Sequence, residues 1–229
     1  MPDLSNLKKA AAEKAVDSYV EDGMTVGLGT GSTAYFAILR VGELVAQGYK
    51  LRCVATSQQT EDIARQHGIE IADIDGVDSI DVTIDGADEI DPHLNLIKGL
   101  GGALLREKIV AAATVAEVIV ADETKLVEKL GTKAPLPVEV CRFGHGKTSY
   151  GLARNGCQPT LRMKDGEPFV SDGGNYIYDC RFPDGIEKPY FMQSAIDTIP
   201  GVVECGLFLN CAVSAVIAHS DGTIEERKA

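Results

Sequence analysis

The sequence holds six cysteines, at 53, 141, 157, 180, 205 and 211, and no C-x-x-C pair among them. They trace neither a zinc spacing nor a small disulfide framework, so buried thiols in a reducing cytoplasm are the expectation. Histidine is sparse as well: the four, at 67, 93, 145 and 219, fall at no metal-ligand spacing. There is no apolar run of membrane-spanning length. The first twenty residues alternate Leu4, Leu7, Ala11, Val16, Tyr19 and Val20 with charges, the pattern of an amphipathic helix rather than a signal sequence. Positive charge is also short. Against 34 Asp and Glu stand 22 Lys and Arg, a formal net charge of −12, which sets a repulsive field against nucleic acid and anionic membranes. Any anionic small molecule must then be met by a local cluster of donors.

What is present has ordinary globular composition, 45% apolar and 24% charged over 229 residues, the size of one large domain with a smaller companion. Up to about residue 130, short β-branched runs alternate with helical stretches, as βα units of a parallel sheet do. MTVGLG, LRCVAT, IEIAD, IDVTID and VIVAD are the expected strands, with helices beginning near Ser32, Gln58 and Gly102. KAPLPVEV, with two prolines, marks a boundary. Beyond it PVEVCRF, PTLRMKDGEPFV, NYIYDCRF and VVECGLFL read as strands and KTSYGLARN and EKPYFMQSAIDTIPG as helices, in the order βαββαβ of a ferredoxin-like unit. The tail, CAVSAVIAHSDGTIEE, reads as a strand and an Asp-Gly turn returning to the first domain. The expected organisation is α/β: a doubly wound, mostly parallel, Rossmann-like domain over residues 1–131 and 207–229, with a smaller ferredoxin-like α+β domain over 132–206.

Four stretches could carry chemistry. VGLGTGSTA (26–34) is a glycine-rich turn between a strand and a helix that fits G-x-G-x-x-A. A dinucleotide site also needs an acid at the end of the second strand, where this chain has Ala55, Thr56 and Ser57; Arg52 opens that strand and lies at its wrong end. Two readings stay open: a monophosphate cradle of backbone N–H groups with the hydroxyls of Thr30, Ser32 and Thr33, or a tight turn before a Ser/Thr-capped helix. GHGKT (144–148) ends like a Walker A loop, but Cys141 stands where that loop needs its first glycine, and Lys147 reads as a solvated helix residue.

IDVTIDGADEID (80–91) runs a strand into Asp85, Asp88, Glu89 and Asp91, with Gly86 and Ala87 making a compact turn. A solvated acidic loop, a divalent-metal site and a ligand-facing acid pair are all compatible with it, although the calcium-loop spacing is absent. In NLIKGLGGALLREKIV (95–110), Lys98 precedes a glycine-rich turn and Glu107 follows on a helix, either as a surface residue between Arg106 and Lys108 or as a group turned toward the loop.

In this order G-x-G-T-G-S-T, D-G-A-D-E, K-G-x-G-G-A-L-x-R-E-K and A-D-E-T-K resemble the A-type ribose-5-phosphate isomerases. The likeness continues through PLPVEV, the S-D-x-G-N segment and IPGVVECGLF over nearly the whole chain. Gly173 departs from it, where that family more often has Asn. The resemblance implies an aldose–ketose isomerase that passes through an enediolate without metal or cofactor, acting on a pentose phosphate in the non-oxidative pentose phosphate pathway. It implies that Glu107 shuttles the proton between C2 and C1, that Asp85 and Asp88 assist ring opening and hold hydroxyls, and that Lys98 stabilises the enediolate oxygen. Thr30, Gly31, Ser32 and Thr33 would contact substrate, as would Asp85, Gly86, Ala87 and Asp88 and the turn Lys98, Gly99, Leu100 and Gly101. Lys125 would meet the phosphate, with help from Lys8. A cytoplasmic homodimer or homotetramer is the implied assembly.

The residue types suit that chemistry. Proton removal next to a carbonyl needs a placed base and a group that stabilises the oxyanion, and clustered carboxylates raise one another's proton affinity. Two other classes compete. A non-catalytic sugar-phosphate sensor would need the phosphate loop but not Glu107 and Lys98, and an NAD-dependent dehydrogenase would need the missing ribose-binding acid.

Overall fold

The β-branched runs of the first half pair into one sheet. The computed structural model of the chain describes residues 4–229. Six strands lie in the order Ile224–Lys228, Ala212–Ala218, Thr114–Asp122, Ile80–Gly86, Thr25–Leu28, Arg52–Ala55; the first is antiparallel to its neighbour and the other five are mutually parallel. From Thr25–Leu28 the chain crosses through helix Ala34–Ala46 toward one edge, and from Ile80–Gly86 through helix Leu104–Ala112 toward the other. Right-handed crossovers travelling in opposite directions leave their helices on opposite faces. The architecture is therefore the doubly wound α/β sheet expected. Its strand order reverses between Thr25–Leu28 and Ile80–Gly86, and ligands of open α/β sheets bind outside the carboxyl ends at such a point.

Burial follows the sequence periodicity. In helix Ala34–Ala46 the buried residues Ala34, Ala37, Ile38, Val41 and Leu44 recur at helical spacing, and the helix stops at Gly48, whose φ of 105° suits a residue without Cβ. Ala37, Ile38 and Val41 join Leu7, Ala11, Ala15 and Val16 of the N-terminal helix against Val26, Leu28, Val82, Ile84, Val118 and Val120. Each Val, Leu or Ile side chain buried in this way contributes about 1.5–3 kcal/mol.

This sheet belongs to a unit made of residues up to 87, 106–125 and 211–229; the second unit comprises 88–105 and 126–210. The second unit contains a four-stranded antiparallel sheet in the order Val202–Cys205, Leu136–Val140, Tyr176–Arg181, Gln158–Leu161, with helices His145–Ala153 and Pro189–Asp197. Leu152 and Ile196 of those helices share a core with Leu136, Val138, Val140, Tyr178, Cys180 and Cys205. This is the βαββαβ arrangement read from the sequence. A second, three-stranded sheet, Leu207–Phe208, Leu96–Ile97, Glu89–Ile90, lies in the same unit.

Three expectations change. IEIAD forms no strand: Ile71 makes a single bridge to Cys53, and Asp73 then accepts from the Asp75 N–H and starts the 3-10 turn Ile74–Gly76. VVECGLFL is two strands in two sheets, divided at Gly206, where a Cβ would stand 2.3 Å from the Lys98 carbonyl oxygen. Residues 88–105, 126–131 and 207–210, read from sequence as part of the first domain, group with the second unit. The reason is the three-stranded sheet, whose two-residue strands leave no periodicity to read.

Glu89 anchors this region. Fully buried, it accepts from the N–H groups of Gly131 (2.5 Å), Lys133 (2.5 Å) and Ala134 (2.6 Å). Glu89→Ala strips those donors of their acceptor and should lower stability by about 2–4 kcal/mol in denaturant melts. A loss below about 1 kcal/mol would mean that water replaces the carboxylate.

Candidate active site

Parallel strands of the first unit deliver three predicted segments to one edge of the sheet. Thr30–Thr33 follow Thr25–Leu28, Asp85–Ala87 follow and end Ile80–Gly86, and Lys125 ends the short turn Glu123–Lys125 after Thr114–Asp122. The glycine loop is pressed directly onto Asp85. That carboxylate accepts from the Thr30 N–H (3.0 Å) and the Gly86 N–H (2.7 Å), and a Cβ on Gly29 would lie 2.2 Å from its Oδ1. Asp85 is 1% exposed.

Behind the loop is a hydroxyl network. Thr30 Oγ1 meets Thr56 Oγ1 at 2.7 Å, Ser57 Oγ at 2.8 Å and Thr60 Oγ1 at 3.1 Å; Thr60 also donates to the Gly29 carbonyl, and Thr56 to that of Leu28. These residues occupy the strand end that lacks a ribose-binding acid, and sequence reasoning missed their role as a brace. Thr30 therefore faces inward, and the exposed groups of the loop are Gly31 and Ser32. Lys8 on the N-terminal helix donates to Ser32 Oγ at 2.9 Å. Lys8, Gly31 and Ser32 line one pocket of about 500 Å³ with Tyr35, Phe36 and Gln59. A positive side chain, a hydroxyl and the start of a helix thus meet in one concavity, as an anion requires.

The acids of the D-G-A-D-E-I-D turn do different work. Within the second unit Glu89 holds Gly131–Ala134 as described, and Asp91 accepts from the His93 and Asn95 N–H groups and from Asn95 Nδ2, which builds a turn. Asp88 lies across the two-strand ladder from Lys98: its N–H donates to the Ile97 carbonyl, and its Oδ2 accepts from the Leu100 N–H at 2.9 Å. Lys98 is 2% exposed, its Nζ 5.4 Å from the centroid of the Phe208 ring. The structure thus gathers Asp88, Lys98, Gly99, Leu100 and Gly101 in one unit, and Thr30–Thr33, Asp85, Gly86 and Ala87 in the other. Glu107, 5% exposed, sits in the first turn of Leu104–Ala112 and is not the surface residue that an isolated R-E-K triplet suggests. Among the described residues, the group whose ligand atoms converge as a metal would need is Asp197, Glu204 and Cys205, away from all of these in sequence.

Lys125 is placed by a charged clasp. Asp122 Oδ1 accepts from the Thr124 N–H, Glu123 accepts from the Ser220 N–H (3.1 Å), and His219 bridges Glu123 (Nδ1, 3.0 Å) and Glu225 (Nε2, 2.8 Å). Imidazole donates from both nitrogens only as a cation. Hydrogen bonding to Glu225, then to Glu123, accordingly holds His219 above its ordinary pKa, and contacts with Ser220 and His219 hold Glu123 below its own.

A glycine-rich loop beside a buried Asp at the strand-order reversal of a doubly wound sheet is the arrangement of an α/β protein that binds a small ligand at the carboxyl ends of its strands. Residues 52–222 match the family model described as ribose 5-phosphate isomerase A (phosphoriboisomerase A). The chain is 47% identical to the ribose-5-phosphate isomerase A of Bacillus mycoides (97% of this chain, 100% of that one) and 52% identical to that of Gloeobacter violaceus (97% and 96%). Among solved structures, ribose 5-phosphate isomerase from Plasmodium falciparum superposes with a TM-score of 0.96 at 40% identity (98% and 99%). A D-ribose-5-phosphate isomerase in complex with phospho-erythronic acid gives 0.95 at 38% (99% and 100%). The chain belongs to the ribose 5-phosphate isomerase A family.

The clasp has a pH signature. Because the folded His219 pKa is raised, its contribution is complete below the ordinary histidine value and fades as pH rises through the raised one. His219→Ala should therefore lower the melting temperature more at pH 6 than at pH 9. Equal losses at both would show that the imidazolium charge plays no part.

Proposed function

We propose that this chain interconverts D-ribose 5-phosphate and D-ribulose 5-phosphate through an enediolate, using its own side chains and no metal or cofactor. The observation that carries the reading is buried Lys98 set across the ladder from Asp88. A cation withdrawn from water is what a developing enediolate oxygen needs, because its charge is screened little there. Glu107 takes the proton from C2 of the open-chain aldose and the C1 oxygen gains the charge that Lys98 stabilises; the C2 hydroxyl proton then passes to the C1 oxygen, and Glu107 returns its proton to C1 as C2 becomes the ketone. Asp85 and Asp88 assist ring opening and hold the sugar hydroxyls. The exposed part of the glycine loop, Gly31 and Ser32, takes the phosphate with Thr33, Lys125 and Lys8, while Thr30 keeps the loop in shape.

A sugar phosphate meeting a protein of net charge −12 needs such a local donor set, since the long-range field opposes it. The enzyme works in the non-oxidative pentose phosphate pathway, in the cytoplasm. Free thiols support that location: Cys53, Cys157, Cys180 and Cys205 are buried and unbridged, and burial pushes the Cys53 thiol up to about 12, so that it stays protonated. No described helix is long and apolar enough to cross a membrane. The second unit exposes Phe143 (93%), Tyr150 and Phe191, apolar area that supports a homodimer or homotetramer.

The deciding experiment is an assay of the purified chain with ribose 5-phosphate, following ketose formation; absence of turnover would refute the reading. Glu107→Gln keeps the shape but not the basicity, and kcat should fall about 10²–10⁴-fold with binding largely intact. Near-normal turnover would remove Glu107 from the base role. Ser32→Ala and Lys125→Ala delete contacts made equally in ground and transition states, so both should raise KM with kcat nearly unchanged. Unchanged KM in both would place the phosphate elsewhere.

A further inference from the structure

The turn carrying Lys98 is gripped by residues that no motif singles out. Arg162, with its side chain 13% exposed, sends Nη1 to the Gly99 carbonyl (3.1 Å) and the Leu100 carbonyl (3.0 Å). The same guanidinium is forked onto Asp179, Nε to Oδ2 at 3.0 Å and Nη2 to Oδ1 at 2.5 Å, and lies 5.7 Å from the centroid of the Phe169 ring. Phe169 fills the space beside Gly102, where a Cβ would meet its ring at 2.5 Å; Gly102 itself has a φ of 89°. A planar guanidinium held by a carboxylate on one side and a ring beside it has little freedom, so the carbonyls it captures have little either.

In a trans peptide the C=O and N–H point in opposite directions. Drawing the carbonyls of residues 99 and 100 toward Arg162 therefore turns the N–H groups of Leu100 and Gly101 the other way. The first donates to Asp88, and the second has no acceptor among the described residues. We propose that Arg162, oriented by Asp179, is a positioning residue for the isomerisation: it sets the Lys98–Gly101 turn so that Lys98 and the Gly101 N–H meet the enediolate oxygens. The inference rests on the isomerase reading above.

Arg162→Lys keeps the charge and loses the fork. A displacement of about 1 Å at the turn can cost on the order of 10²-fold, so kcat with ribose 5-phosphate should fall about 10–100-fold while KM changes less than about 3-fold. Inhibition supplies a readout that does not depend on the fraction of folded enzyme. The Ki of phospho-erythronic acid, whose carboxylate copies the enediolate oxygens, should rise by a factor similar to the fall in kcat, and the Ki of inorganic phosphate should stay put. Asp179→Asn, a milder change, should show the same pattern at about 3–10-fold and carries the test where Arg162→Lys yields no folded protein. An unchanged Ki for phospho-erythronic acid, or both inhibitors weakening together, would overturn the positioning role. If the wild-type chain shows no turnover the isomerase reading falls with it; if wild type turns over and the variants match it, only the positioning role falls.

Discussion

The carboxylate of Asp85 occupies the space that a side chain at residue 29 would take, and the first unit's site is arranged around that fact. Two parallel strands approach so closely here that Gly27 and Gly29 are the only way to seat Thr83 and Asp85 opposite them. With Gly29 reduced to backbone, Asp85 reaches the Thr30 N–H and fixes where the loop begins. The hydroxyls of Thr56, Ser57 and Thr60 fix it from the far side. A loop held from both sides in this way has little conformational freedom left to lose on binding a ligand.

Charge is distributed by the same logic. An acidic chain that binds an anion cannot rely on its overall field, and the concavity at the glycine loop sets Lys8 beside Ser32 at the start of a helix. Several buried acids are engaged instead by backbone amides. Glu89 takes three, and Asp91 and Asp122 organise turns. An acidic run that reads from sequence as a single cluster is therefore several anchors and a pair of reactive-site candidates, each distinguished by what donates to it.

The second unit contributes rigidity to its own reactive turn. Lys98 is held by a three-stranded sheet too short to recognise in sequence, and its neighbours Gly99 and Leu100 by an arginine 63 and 62 residues away. Gly173 packs against a buried acid of the four-stranded sheet: a Cβ there would stand 3.1 Å from Oε1 of Glu139, which Ser171 and Asn175 already hold. In this chain Ser171 and Asn175 of the SDGGN segment thus brace the sheet through Glu139.

Periodicity over about ten residues, glycine at strand ends and paired prolines sufficed to read the two larger sheets, the order of helices and the return of the tail through its Asp-Gly turn. Those signals are local, and local dihedral preference and amphipathic spacing are enough to encode them. The motif resemblance added Glu107, Asp85, Asp88 and Lys98 as candidates, with the roles it implies. Tertiary structure alone decided that Thr30 faces a hydroxyl brace rather than solvent, that IEIAD ends in a turn, that Gly206 switches the chain between sheets, and that residues 88–105 join the second unit. Each depends on a contact between segments distant along the chain, whose partners are selected by strand register and close packing. No stretch of sequence short enough to show a period contains both ends of such a contact.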